Sequence, residues 1–266
     1  MNMPAIIPQR ASDIADRLAK AHKQRKRFAV LAELAADVDL AYAVQDDLVR
    51  RWAEEGQGDV IGWKIGLTTP HMQKMCGVRQ PIAGAILSAR AHASGATIHS
   101  DEFVRLGVES EIAVRMGTPL ALDEPCDPAR VLGCIDSVCA AFELIEDRDA
   151  DYSALEAASL VADNSWNAGV VFGPPSPASS FRTLLGLQGR LVVNDALLDE
   201  GDSDAVGGDP LRVVDWLARF LASRGRALEP GQWVMTGSIV TTKFPRNGDH
   251  YRCEIDPLAP VEMFVT

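Results

Sequence analysis

The sequence predicts an α+β protein organised around a mixed sheet, and three observations carry that reading. Strand-like segments outnumber helical ones, the two kinds do not alternate as a doubly wound parallel sheet requires, and helical patterning is concentrated in the first 55 or so of 266 residues. The expected organisation is a helical N-terminal segment, 1–58, followed by a sheet-based portion, 59–266.

In the N-terminal segment, Ser12 fits a helix N-cap, with Asp13 and Asp16 in the first turn and Ile14, Leu18 and Ala21 along one side. A second helix is expected after Asp39, with Ala41, Val44, Leu48 and Trp52 three or four apart and Gly56 as its stop. From about residue 59 short apolar runs separated by Gly and Pro take over. "DVIGWKIGL", "LGVESEIAVRM", "CAAFELIED", "NAGVVFG", "LQGRLVVN", "GQWVMTGSIVTTK" and "HYRCEIDP" all read as strands, with Asn247-Gly248 as a tight hairpin between the last two. Asp127-Pro128 opens a helix through Val131, Ile135 and Val138, and Asp209-Pro210 opens another through Val214, Leu217 and Leu221. "EDRDADYSALEAAS" and "DEGDSDAVGGDP" read as acidic surface loops or a flap over a site.

Composition narrows the function classes. A hydrophobic content of 47% with mixed charge marks a globular chain. A formal net charge of −11 argues against nucleic acid and anionic membranes as partners, because phosphates are gripped through Lys and Arg; "KQRKR" near residue 25 reads as a solvated helix end. No apolar run reaches the roughly 20 residues of a membrane helix, and "MNMPAIIPQRASDIADRL" lacks a secretory h-region, so the expected location is the cytoplasm. Five cysteines without a C-x-x-C pair, and five histidines without metal-protease spacing, point to thiols in a reducing compartment and away from zinc. Nucleophile-elbow, Walker and dinucleotide fingerprints do not occur.

Three stretches carry chemistry. In "GVESEIAVRM" strand alternation puts Gly107, Glu109, Glu111, Ala113 and Arg115 on one face. Glu109 and Glu111 then stand about 6.5 Å apart at Cα, from a rise of roughly 3.3 Å per residue. Their repulsion at an effective dielectric of 20 is on the order of 2.5 kcal/mol. A solvated face neutralised by Arg115 accounts for that, and so does a divalent cation between them. In "CAAFELIEDR", Glu143 is the one charge between Cys139 and Ile145, which calls for a salt bridge or for a place as a third oxygen ligand of the same cation. In "GWKIGLTTP", Lys64 either carries its stem across the sheet to water or holds an anionic substrate and its developing oxyanion. "ADNSWNAG", with Asp163, Asn164 and Asn167, reads as turn chemistry or as hydrogen-bonding support behind a site. Gly237 and Ser238 in "MTGSIV" suit a bulge or a backbone carboxylate site.

Taken in order, "AYAVQ", "GWKIGLTT", "GVESEIAV", "FELIEDR", "VADNSWNAGVVFG" and "GQWVMTGSIV" make the chain resemble the 2-keto-4-pentenoate hydratases, a branch of the fumarylacetoacetate hydrolase superfamily, from about residue 40 to the end. The resemblance implies a mixed-sheet roll, a homo-oligomer, and Mg²⁺ or Mn²⁺ held by Glu109, Glu111 and Glu143, with Lys64 as the family lysine. The substrate contacts expected are Lys64, Leu67, Asn167, Gly237 and Ser238, with Asp163 behind them. The implied reaction hydrates a 2-hydroxy-2,4-dienoate to a 4-hydroxy-2-oxo acid. Its alternatives are decarboxylation of a 2-oxo dicarboxylic acid and C–C hydrolysis of an acylpyruvate, and a different class is a non-catalytic binder of 2-oxo acids. Two departures stand out. Gly107 precedes Val108 where the family reads Arg, and Ile82 in "QPIAG" replaces the aspartate of a Pro-Asp-Tyr-Gly segment, a position that also looks apolar in the related 4-oxalocrotonate decarboxylases.

Overall fold

The structure is a computed structural model that describes residues 7–35, 37–122 and 126–266; residues 1–6, part of the stretch read for a secretory signal, lie outside them. Its helices are α1 (Gln9–Lys23), α2 (Val38–Trp52), α3 (Pro70–Met75), α4 (Pro128–Gly133), α5 (Ala157–Ala162) and α6 (Pro210–Ser223). Its strands are β1 (Val60–Gly66), β2 (Ile82–Leu87), β3 (Ala91–Ala93), β4 (Ala96–Ile98), β5 (Leu106–Met116), β6 (Ile135–Glu146), β7 (Asn167–Phe172), β8 (Ser176–Pro177), β9 (Gln188–Val193), β10 (Ala196–Asp202), β11 (Trp233–Ser238), β12 (His250–Ile255) and β13 (Val261–Val265). Among the described residues no helix is long and apolar enough to cross a membrane.

Eight strands form a mixed sheet in the order β2-β1-β11-β5-β6-β7-β3, with β8 added to β6; the other five form a second sheet, β10-β9-β12-β13-β4. β1 runs parallel to β11, and β5 and β6 run antiparallel over eleven paired residues. One face of β5 carries Val108, Ile112, Val114 and Met116 into the main core. The other face carries Ala113, which joins Cys139, Ala141, Val170 and Met235 in a smaller cluster of mostly compact side chains. Small residues on that inner face leave room for the charged side chains that share it. The second sheet packs against the first, for example through Phe142 on β6 and Tyr251 on β12, whose rings meet edge-on at 6.3 Å. α1 packs on α2 and α2 on α5, and all three feed the same main core. Gln45 of α2 ties this layer to the sheet, donating to the Ala83 and Val161 carbonyls at 2.9 and 2.8 Å.

Several expected boundaries move. α1 begins one turn before Ser12, whose hydroxyl instead accepts a hydrogen bond from Arg51. α2 is capped by Asp37, which accepts from the Leu40 N–H, so it starts before Asp39. α4 ends at Gly133, and Ile135 and Val138 lie on β6, because long pairing with β5 outweighs a short helical period. Asn247-Gly248 makes no hairpin: β11 and β12 belong to different sheets, and the Gly248 N–H donates to Val265. The tight hairpin is Asn194-Asp195 between β9 and β10, both at positive φ. The "EDRDADYSALEAAS" stretch is not simply a surface loop, since Asp147 and Arg148 are buried. The "DEGDSDAVGGDP" stretch begins as strand β10.

One close approach fixes where β2 sits. A Cβ at Gly84 would lie 2.5 Å from the Asn164 carbonyl oxygen. Gly84→Ala should therefore destabilise the fold by about 1–3 kcal/mol through overpacking, read as a lower urea midpoint. An unchanged midpoint would mean that β2 can move away from the 164–166 turn.

Candidate active site

Strand register assembles the charged groups. Glu109 lies opposite Glu143 across the β5–β6 pair, and Glu111 follows two residues on, opposite Ala141. One carboxylate oxygen from each of Glu109, Glu111 and Glu143 lies within 4.8 Å of the others, and among the described residues this is the one such convergence of His, Cys, Asp and Glu side chains. Lys64, from β1, places its Nζ 3.2 Å from Glu143 Oε2. Glu143 Oε1 accepts a hydrogen bond from Asn167 Nδ2 at 2.8 Å, Glu111 Oε2 accepts from the Gly237 N–H at 2.8 Å, and Glu109 Oε1 accepts from Thr242 Oγ1 at 2.5 Å.

The electrostatics are those of an overloaded anionic cluster. Glu111 and Glu143 are fully buried and Lys64 is 5% exposed. Burial raises the Glu111 carboxyl well above the ordinary range, the charges of Glu143 and Glu109 add to that, and Lys64 with the Gly237 N–H only partly offsets it. Burial likewise raises Glu143; Lys64 pulls it down, Glu109 pushes it up, and the net is upward. Burial alone would lower Lys64, but Glu143, Glu109 and Glu111 together raise it, so it stays a cation. Three carboxylates face one ammonium, and Glu111 Oε1 is buried without a hydrogen-bond partner. Glu143 Oε2 meets Lys64 within ion-pair distance but outside hydrogen-bonding geometry. Unsatisfied hard oxygens in a surplus of negative charge fit a hard divalent cation.

Lys64 and Glu109 open on a cavity of about 980 Å³, with the fully buried Glu111 and Glu143 behind its wall. Lys64, Leu67, Glu109, Gly237 and Ser238 line it, as does Ile82, which pairs with Gly66, two residues past Lys64, on the neighbouring strand. Leu67 has φ 52, and the Gln73 side chain holds its carbonyl at 3.0 Å. The Ser238 hydroxyl is committed to backbone, donating to Val240 O at 2.6 Å. Asn167 is not at the cavity wall; it supports Glu143 from the other side. Asp163 is not brought to the carboxylates either. It bonds His22 Nε2 at 2.6 Å and Arg148 Nη2 at 2.5 Å, locking α1 to the segment after β6, and against the upward push of burial those partners lower its pKa. Arg105 does not substitute for an arginine at Gly107: it pairs with Asp147 and lies over the Tyr152 and Phe244 rings. A side chain at Gly107 would press on Thr242 and Ile145 at 3.1 and 3.2 Å.

Sequence patterning did not reveal Thr242, whereas the turn Asn164-Ser165-Trp166 falls inside "ADNSWNAG", the stretch read as turn chemistry or hydrogen-bonding support. Thr242 lies beyond the end of β11, where alternation gives no direction. The turn has three consecutive left-handed residues, φ 51, 51 and 61, fixed by Asn164 bonding both the N–H and the carbonyl of Ala85 and by Ser165 donating to Ala83 O. Its Asn-Ser start was the available signal, and the turn delivers Asn167 to Glu143.

Residues 79–266 match the family model described as fumarylacetoacetate (FAA) hydrolase C-terminal. Over 260 residues the chain is 31% identical to the 2-keto-4-pentenoate hydratase of Paraburkholderia xenovorans (strain LB400), covering 96% of this chain and 95% of that one. It is 30% identical over 248 residues to the 2-oxo-hept-4-ene-1,7-dioate hydratase of Escherichia coli, covering 91% and 92%. A solved structure of 4-oxalocrotonate decarboxylase from Pseudomonas putida G7, complexed with magnesium and adipate, superposes with a TM-score of 0.89 at 25% identity, covering 97% and 98%. Lys64 and the two N-terminal helices precede the residues matched by the family model.

Two outcomes test the cluster. Glu143→Gln should abolish binding of Mn²⁺, used as a spectroscopic probe, while circular dichroism stays native; unchanged affinity would remove Glu143 from the ligands. The raised carboxyls also set a pH dependence. A folded carboxyl with a raised pKa loses stability as pH climbs from its unfolded value toward its folded one. A cation relieves that loss, so the rise in Tm on adding Mg²⁺ should be larger at pH 8 than at pH 5. Equal shifts at both would contradict the cluster's coupling to protons.

Proposed function

The chain belongs to the fumarylacetoacetate hydrolase family, and from that premise we propose that it is a divalent-metal-dependent lyase that adds water to a 2-hydroxy-2,4-dienoate, giving a 4-hydroxy-2-oxo acid. The observation that carries this reading is the convergence of Glu109, Glu111 and Glu143 beside Lys64 at one cavity, in a chain alike along nearly its full length to a hydratase. In this reading residues 59–266 are the catalytic portion and 1–58 a helical segment. The three glutamates hold Mg²⁺ or Mn²⁺, which would supply Lewis-acid polarisation of the C1 carboxylate and 2-oxygen.

The chain's own groups do the rest. Lys64, kept cationic by the carboxylates, attracts the anionic acid and stabilises negative charge on the 2-oxygen. Asn167 and the Gly237 N–H fix the orientation of Glu143 and Glu111. The dienol ketonises as a proton reaches C5, and water then adds at C4 while C3 takes a proton. Leu67, Gly237 and Ser238 form the wall along which the acid lies. Cys76, Cys134, Cys139 and Cys253 are free thiols, which supports a reducing cytoplasm, and the family resemblance supports a homo-oligomer.

One observation favours a second reading, decarboxylation of a 2-oxo dicarboxylic acid. Water addition needs a proton acceptor near C4, and the position where the family aspartate is expected is the buried Ile82, paired with Gly66. Loss of CO₂ uses the same electron sink without that acceptor. Incubating the protein with 2-hydroxypentadienoate and Mg²⁺ should remove the dienol absorbance. Survival of that compound together with CO₂ release from 4-oxalocrotonate would replace hydration with decarboxylation. Lys64→Met should lower kcat/KM at least about a hundredfold, the scale of one lost oxyanion donor.

A further inference from the structure

The cavity extends well past the carboxylates. Its volume of about 980 Å³ is at the upper end of the roughly 300–1,000 Å³ that drug-sized ligands occupy, far more than a five-carbon acid fills. The apolar part of its lining includes Met72, Leu155, Leu160, Trp166 and Phe244. Leu160 and Trp166 are buried, whereas Phe244 stands at the exposed side.

Apart from Lys64, the charged groups that line the cavity all have one sign. Asp199, Glu200, Asp202 and Asp204 line the cavity, and Lys64 is the one Lys or Arg among its described lining residues. Lys64 is committed to Glu143. Nearby cations are already engaged: Lys243 Nζ bonds Asp199 Oδ2 at 2.5 Å, and Arg105 pairs with Asp147. Glu200, Asp202 and Asp204 have no ion-pair partner among the described residues. Asp202 and Asp204 accept only backbone hydrogen bonds, from Asp204 N and Gly186 N.

Resting on the metal-dependent 2-oxo acid reading above, we propose that the substrate carries an uncharged apolar tail of several carbons and that a terminal second carboxylate is rejected. A tail methylene leaves water for Met72, Leu155 and Leu160, which favours binding. A terminal carboxylate would enter the same space with no free cation to receive it, facing three unpaired acids, and would lose its hydration without replacement. The chain thereby selects among acids that share one reacting end by what stands at the other.

The test is calorimetric binding to the full-length Mn²⁺-loaded protein, using saturated 2-oxo acids that have no diene to hydrate. From 2-oxobutanoate through 2-oxohexanoate to 2-oxooctanoate, affinity should rise by about twofold to fourfold per methylene. 2-Oxohexanedioate should bind at least tenfold more weakly than 2-oxohexanoate. Met72→Arg should bring that pair to within about threefold while weakening 2-oxooctanoate. A dicarboxylate that binds as well as its monoacid, an affinity independent of tail length, or no binding of any of these acids would each overturn the proposal. Loss of dienoate turnover with the tail preference intact would instead count against hydration alone.

Discussion

Two like charges stand directly opposite each other on adjacent antiparallel strands, Glu109 on β5 and Glu143 on β6, and the architecture around them serves to make that pairing tolerable. A third carboxylate, Glu111, shares their face, and two of the three are out of contact with water. Left alone such a cluster would protonate or open. Here each neighbouring strand contributes one compensating group: β1 the Lys64 ammonium, β7 the Asn167 amide, β11 the Gly237 N–H, and the chain just beyond β11 the Thr242 hydroxyl. The mixed order of the sheet follows from this need. Parallel β1–β11 and antiparallel β11–β5–β6–β7 bring groups from distant parts of the sequence around two central strands.

Compensation is incomplete, and the incompleteness is specific. Glu111 Oε1 remains without a donor while the same residue's Oε2 is satisfied, so the shortage is directed into the cluster and not spread over it. Strain is placed behind the carboxylates. The left-handed Asn164-Ser165-Trp166 turn costs conformational energy, and its stabilisation by Ala83 and Ala85 of β2 converts that strain into a fixed position for Asn167. Gly84 is the residue that lets the turn come this close. The His22–Asp163–Arg148 network then anchors the far side of the same turn to α1, giving the N-terminal helices a structural stake in the site.

Much of this was legible in the sequence, for a physical reason: strand alternation is a strict period of two, so a charged pair such as Glu109 and Glu111, or a lone charge such as Glu143 or Lys64, declares its face. What alternation does not encode is pairing across distance. Asn247-Gly248 has a hairpin's composition, yet its flanking strands belong to separate sheets, and the true hairpin at Asn194-Asp195 uses a second Asp where Gly is the stronger signal. Ile135 and Val138 fit a helix by local spacing and a strand by their eventual partner. Asp163 looked like site chemistry because it sits among Asn residues near a strand start; its partner His22 lies 141 residues away and left no local trace.

The net charge of −11 then raises a question of access, since the proposed substrate is itself an anion. Long-range steering cannot supply it: at physiological salt, fields between exposed charges fade over about 8 Å, and the sign here is wrong. Attraction has to act at contact, in the low dielectric of the cavity, where one ammonium and a divalent cation against three carboxylates leave the reacting end near neutrality before substrate arrives. Glu200, Asp202 and Asp204 line the same cavity without an ion-pair partner among the described residues, so in the reading proposed above a second negative charge would be repelled there and an apolar tail would not.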